Sequence, residues 1–87
     1  MTQFVEAEKG RIMTTYKNSG GDSGIAAYEI GDDSITVQFS DGSVYLYTSQ
    51  SAGAVKIEEM KTLAADGHGL NSFINRHVKF NYAQKLR

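Results

Sequence analysis

The sequence predicts an α+β fold: an antiparallel β-meander of three or four strands, followed by two α-helices, at least one of them packed on the apolar face of the sheet. Three observations predict it. Residues 35–40, ITVQFS, and 43–48, SVYLYT, are strand-forming runs on either side of Asp41-Gly42, a favoured pair for a two-residue hairpin loop. The segments before and between the strands are glycine-, serine- and aspartate-rich, with no proline in the chain. From Ser51 onward the apolar spacing changes from two to the three-and-four of a helix.

The elements follow in order. Residues 1–10 read as a short mixed arm, frayed or partly extended. Residues 11–17, RIMTTYK, carry Ile, Thr and Tyr and read as a strand. Residues 18–24, NSGGDSG, are a connector too rich in glycine to form a regular element. Residues 25–30, IAAYEI, form the next strand, and Gly31-Asp32-Asp33-Ser34 the turn after it.

A register follows from the turns. With Asp41 and Gly42 as the whole loop, Phe39 faces Val44, Gln38 faces Tyr45, Val37 faces Leu46 and Thr36 faces Tyr47. Cross-strand partners share a face. Ile35, Val37, Phe39, Val44 and Leu46 then make one apolar face, which Tyr28 and Ala26 join when Ile30 pairs with Ile35. Thr36, Gln38, Tyr45 and Tyr47 fall on the opposite, polar face. A one-residue slip would reverse every assignment.

In the first helix, Val55, Ile57, Met60, Leu63 and Ala64 supply the apolar positions, Ser51 caps the start, and Asp66-Gly67-His68-Gly69 stops it. A second helix runs from Leu70 or Asn71 to about Lys79, with Leu70, Phe73, Ile74 and His77 as its stripe. Val78, Phe80 and Tyr82 alternate in VKFNY, which also permits a short strand there. At least one helix must cover the apolar face, because a lone sheet this small is not stable.

At 87 residues the chain reads as one domain with a modest core. It has no cysteine, which excludes disulfides and thiolate metal sites. The first residues, MTQFVEAEKGR, lack the apolar stretch of a signal peptide, and no run approaches a membrane span. The expectation is a soluble cytoplasmic protein. The net charge of −1 conceals an asymmetry. Residues 1–55 carry three cations (Lys9, Arg11, Lys17) against seven anions (Glu6, Glu8, Asp22, Glu29, Asp32, Asp33, Asp41). Residues 56–87 carry six cations against three anions, and Asp66 is the last acid in the chain. Such asymmetry points to a partner for the basic end or to an ordinary solvated helix face.

The order of SGI, FSDGSVYLY, a helix and GLNSFINRHVKFNY resembles the KTSC family, named after a C-terminal extension of some lysyl-tRNA synthetases and also found as a small stand-alone bacterial protein. The family's Y-x-Y after a glycine turn is matched by Tyr45 and Tyr47 after Asp41-Gly42. Its late motif is matched by Gly69, Phe73, Asn75, Arg76, Val78 and Tyr82. The resemblance spans residues 23–85. Where family members carry Val-Pro after the Y-x-Y, this chain has SQSAG. The resemblance implies a small α+β domain and, from the synthetase context, binding to RNA or tRNA.

The residues offer little for catalysis. GGDSG at residues 20–24 contains the surroundings of a trypsin-like serine, but that chemistry needs a histidine base and a buried aspartate on a far larger scaffold. Gly67-His68-Gly69 lacks the lysine of a phosphate loop, and a helix stop and restart accounts for it. His68 and His77 are nine residues apart with no acidic cluster, so neither metal nor cofactor is expected. His77, on the apolar stripe, reads as a partly buried core histidine. Asp32-Asp33 and Glu58-Glu59 are neighbours whose side chains point apart, so no acid–base pair is expected.

The expectation is therefore a non-enzymatic binding module. Exposed aromatics on a small sheet beside cations are how several RNA modules stack bases. The candidate residues are Tyr45, Tyr47 and Gln38 on the polar face, with Asn75, Arg76, Lys79, Lys85 and Arg87 near the C-terminus. A pI near 6.0 is low for a nucleic-acid binder. Two other readings stay open: tyrosines that only stabilise the sheet by cross-strand pairing or lie covered by the N-terminal strand or the second helix, and a protein-interaction or homodimer surface on the Tyr45/Tyr47 face or a sheet edge.

Overall fold

The computed structural model describes residues 13–17 and 24–87. The proposed N-terminal arm, most of the glycine-rich connector and Ser23 lie outside the described residues. The fold is α+β, as predicted, with five antiparallel strands among the described residues where three or four were expected. They are β1 (Thr14–Thr15), β2 (Ile25–Ile30), β3 (Ser34–Phe39), β4 (Val44–Thr48) and β5 (Gln84–Lys85), ordered in the sheet as in the sequence. The extra strand comes from the chain's end, which returns after the helices to pair with β4: Tyr45 faces Lys85 and Leu46 faces Gln84. Between β4 and β5 lie α1 (Ser49–Ala52), α2 (Ala54–Asp66), α3 (Leu70–Phe73) and a π-helical turn (Ile74–Val78) that continues α3.

The β2–β3 pairing has the register derived from the GDDS turn, with Ile30 opposite Ile35, Glu29 opposite Thr36 and Tyr28 opposite Val37. Nearer Gly24 the pairing departs from it. An irregularity between Ile25 and Ala27 brings Ile25 opposite Phe39. Ile25 is buried at 3% exposure, and Ala26, the expected core residue, is exposed. An extra residue in one strand turns the next side chain to the other face.

The β3–β4 hairpin corrects the derived register by one residue. Gln38 faces Val44, Val37 faces Tyr45, Thr36 faces Leu46 and Ile35 faces Tyr47. The loop holds three residues, Ser40, Asp41 and Gly42. Gly42 N–H donates to the Phe39 carbonyl (2.9 Å), Phe39 N–H to the Ser43 carbonyl (2.8 Å), and Gly42 takes φ +93°. This is a turn closed by a glycine bulge, the three-residue alternative to the two-residue loop. It leaves the Ser43 N–H without a ladder partner, and Asp41 Oδ1 accepts it at 3.0 Å.

The slip moves Tyr45 and Tyr47 onto the same face as Ile35 and Val37, and Val44 and Leu46 onto the other. The helices cover the tyrosine face. Ile35, Val37 and Tyr47 join Ile57, Met60 and Ala64 of α2 and Leu70, Ile74 and Val78 of the C-terminal helix in one core, with Tyr16 and Ile25. Tyr47 is 2% exposed, so the placement of both tyrosines on a polar face is overturned. β3 is the middle strand, and Ile35, Thr36 and Val37 are all buried.

The helices depart from expectation in four places. Thr48, not Ser51, is the N-cap of α1; Ser51 sits three positions on and closes a capping box with it, at 3.1 and 3.0 Å. Gly53 then separates α1 from α2, where one helix was expected. Val55, expected on the inner stripe, is exposed, because α2 turns Ile57, Met60 and Ala64 inward. In the C-terminal helix the inward series is Leu70, Ile74 and Val78, and His77 is exposed rather than partly buried. A π turn advances each residue through a smaller angle than an α turn, so the inward position after Ile74 falls on Val78.

Tyr16 links the two ends of the fold. Its N–H donates to the Ala26 carbonyl beside β1, and its buried hydroxyl accepts the Leu70 N–H at the start of α3, at 3.2 Å. That supplies one free helical N–H with a partner.

Candidate functional site

The covered face of the sheet is not filled to its end. Where β3 and β4 leave α2, a pocket of about 480 Å³ opens between the hairpin, β4, the π turn and the segment that leads into β5. Its size is in the range of small-ligand sites. The hairpin contributes Phe39, Ser40, Asp41 and Ser43; β4 contributes Tyr45 and Tyr47; the C-terminal segment contributes Ile74, Asn75, Lys79, Phe80 and Tyr82.

Each group reaches the pocket for a local reason. The one-residue slip turns both tyrosines of β4 toward the helix side. The π turn sets Asn75 and Lys79, four residues apart, on the side that faces them. Such turns occur often at functional sites, where they re-aim a side chain. The chain then reverses, with Asn81 N–H donating to the Val78 carbonyl at 2.9 Å, and carries Tyr82 back against β4. Ala83 N–H donates to the Leu46 carbonyl at 2.7 Å and fixes that return.

The aromatic rings form a connected set. Tyr45 meets Phe39 edge-on at 5.7 Å between centroids and Tyr82 at 4.8 Å; Tyr82 also meets Tyr47 at 6.5 Å. Such pairs add about 0.5–1.5 kcal/mol each beyond the area they bury. Lys85 lies 5.9 Å from the Tyr45 ring centre and Lys79 5.5 Å from that of Phe80. Lys85 therefore flanks the tyrosines, and Lys79 the Phe80 ring. Phe80 is 79% exposed at the rim. The Asn75 amide makes no side-chain hydrogen bond among the described residues and is exposed, so both its carbonyl and its NH₂ are available. Burial pushes the Tyr47 phenol up to about 12, reinforced by Tyr45 and Tyr82, so it is a neutral donor at physiological pH. Asp41 is held below its ordinary value by the Ser43 N–H, then by the Ser43 hydroxyl, and is ionised.

Of the candidates from the sequence, Tyr45, Tyr47, Asn75 and Lys79 come together in the pocket, and Lys85 stands opposite Tyr45 on β5. Three do not. Gln38 pairs with Val44 on the other face of the sheet. Arg76 and Arg87 are exposed and do not line the pocket, and the Arg87 carbonyl accepts the Val44 N–H at 3.0 Å. Sequence reasoning missed Phe39, Asp41, Ser43, Phe80 and Tyr82. The alternation in VKFNY was the signal for Tyr82; the hairpin residues depended on the loop type. Among the described residues no group of His, Asp or Glu converges to hold a metal ion, and no helix is long and apolar enough to cross a membrane.

No protein-family model, no curated protein and no solved structure matches this chain.

Proposed function

We propose that this protein is a non-enzymatic module that binds single-stranded RNA, with one unpaired base lodged against Tyr45, Tyr47 and Tyr82 and the adjoining phosphates met by Lys79 and Lys85. One observation carries the reading: three tyrosines, the Lys79 ammonium and an amide that has no side-chain partner among the described residues share one open pocket, and Lys85 lies beside the Tyr45 ring. An aromatic wall accepts any base through its π face, an amide bonds a base edge, and lysines neutralise phosphate. The resemblance to the KTSC family supports it as well. Tyr45 and Tyr47 come from one family-like motif and Asn75 and Tyr82 from the other, and all four line the same pocket. A cytoplasmic setting, where single-stranded RNA is plentiful, belongs to the same proposal.

The test is fluorescence anisotropy of a labelled single-stranded RNA at rising salt. Binding is expected at low salt and weakens steeply as salt increases. Tyr45→Leu, which keeps an apolar side chain beside Phe39, should weaken binding by roughly 5- to 100-fold, the worth of one stacked base. Absence of a complex at high micromolar protein in low salt would overturn the proposal.

A second reading, a protein-binding or homodimeric module, has one observation in its favour. Leu86, next to the edge strand β5, and Phe80, on the segment that leads into it, are exposed apolar side chains. Sedimentation velocity tests the dimer: a single species at the monomer's mass over the micromolar range rejects it.

A further inference from the structure

Among the described residues, the Asp41 carboxylate at the pocket rim uses only one oxygen in hydrogen bonds. Asp41 Oδ1 accepts both bonds from Ser43, the N–H at 3.0 Å and the hydroxyl at 2.7 Å. Oδ2 makes no hydrogen bond among the described residues. An ionised group is an unexpected lining for a site that meets a polyanion, because it repels phosphate. The Ser43 bonds and the Lys85 charge stabilise the carboxylate, and a ligand that brings a donor can use the oxygen that Ser43 leaves. Bases bring donors on their edges, but Asn75 already offers an amide to an edge from the helix side. On the hairpin side, Asp41 is the only charged group that lines the pocket among the described residues.

A nucleotide has three chemically distinct parts: a flat base, a hydroxyl-bearing sugar and a phosphate. The pocket presents three matching surfaces, with Tyr45 and Tyr47 as the wall, Asp41 on the hairpin rim and Lys79 on the helix rim. We propose that Asp41 Oδ2 accepts the ribose 2′-hydroxyl of the bound nucleotide, so that the pocket selects RNA over DNA. The inference rests on the single-stranded RNA reading above. A carboxylate accepts a hydroxyl in a short, charge-assisted bond, and the 2′-hydroxyl is the group that distinguishes the two polymers at a given site. The same carboxylate repels the phosphates of either polymer, so it subtracts from affinity for DNA and returns that cost only for RNA.

The experiment compares a mixed-sequence decamer with ribose against the same base sequence with deoxyribose, uracil kept in both, by anisotropy on the full chain at one salt concentration. Wild-type protein is expected to bind the ribose decamer roughly 3- to 10-fold more tightly. In Asp41→Ala the ribose decamer weakens, while the deoxyribose decamer binds equally or more tightly because a negative charge has gone. The ratio then falls toward one. Opposite signs for the two polymers are not expected from a loop that has merely loosened. Asp41→Asn guards against that case, since its amide oxygen can still accept the Ser43 N–H; its ratio should fall by at least half. Equal wild-type affinity for both decamers, or a ratio that survives both substitutions, overturns the role of Asp41 and leaves the aromatic pocket as a nucleic-acid site. No binding of either decamer overturns the RNA reading and this inference with it.

Discussion

Two turns divide the meander, and they behave differently. Across Gly31-Asp32-Asp33-Ser34 the chain reverses so that Ile30 meets Ile35, as side-chain patterning alone implies. Across Ser40-Asp41-Gly42 it reverses one residue out of the register that patterning implies. The difference lies in the strands as much as in the turns. β3 buries Ile35 and Val37, and a tyrosine on β2 packs beside them, so a slip at the first turn would expose apolar surface. β4 is VYLYT, with Val44 and Leu46 on one side and Tyr45 and Tyr47 on the other. Both of its faces are apolar enough to be buried, so the strand itself does not choose. The choice passes to the loop. There the Asp41 carboxylate accepts the Ser43 N–H that the three-residue form leaves open, and the Ser43 hydroxyl besides. Where a strand is apolar on both faces, turn chemistry sets the register, and here the register turns two tyrosines toward a pocket instead of open solvent.

The sharpest way to break this comparison is to truncate one residue on each face of β4. Tyr47→Ala should cost about 3–5 kcal/mol, the range for a large aromatic removed from a core. Leu46→Ala, at a half-buried position on the other face, should cost about 1–2 kcal/mol. Urea unfolding of both variants measures the pair. The two-residue register predicts the reverse order, with Leu46 the costly position.

Alkaline titration sharpens the same assignment without a cavity. The unfolded chain loses a tyrosine proton at about 10, whereas burial holds the Tyr47 phenol to about 12. Between those values the unfolded state binds fewer protons than the native state, so stability falls as pH rises through the window and is insensitive to Tyr47 below it. Tyr47→Phe removes that component. Its stability should fall less between pH 9 and pH 11 than that of the wild type, measured by urea unfolding at each pH. Equal falls would place Tyr47 in water.

How much was legible follows from the same physics. The strands β2, β3 and β4, the helical region and its stop at Gly67 were readable, because each rests on local periodicity and turn residues. So were four of the pocket's side chains, Tyr45, Tyr47, Asn75 and Lys79, although the two-residue loop puts the tyrosines on the wrong face of the sheet, and Tyr47 is core. The exposure of Val55 and His77 was not readable. Val55 depends on how α2 is rotated after the break at Gly53, and His77 on a π turn, and both are settled by packing against the sheet. Strand β5 was hidden for a related reason. Two residues of ladder carry no pattern of their own, and only the β4 backbone they pair with defines them. The pocket's hairpin side was out of reach because Asp-Gly serves two loop types with different consequences for every residue beyond it.

The glycines of the two turns span effects from that of Leu46→Ala down to the smallest expected here. Gly42 has φ +93°, and a Cβ built there meets nothing within 4 Å. The cost of Gly42→Ala is therefore conformational alone, about 1–2 kcal/mol for a left-handed residue. Gly31 is not in that region of φ. A Cβ there would press on the Ser34 side chain, whose hydroxyl can rotate away. Gly31→Ala should cost only a few tenths of a kcal/mol, and Gly31→Ala combined with Ser34→Ala should recover even that. Thermal unfolding of the three variants reads the contrast. A Gly31→Ala cost equal to that of Gly42→Ala would mean that the first turn is held by backbone conformation after all, and that its register does not come from Ile30 and Ile35 alone. A Gly42→Ala cost near zero would mean that the second loop can close without its left-handed residue. The glycine bulge that turns Tyr45 and Tyr47 into the pocket would then not be what sets the register of β4.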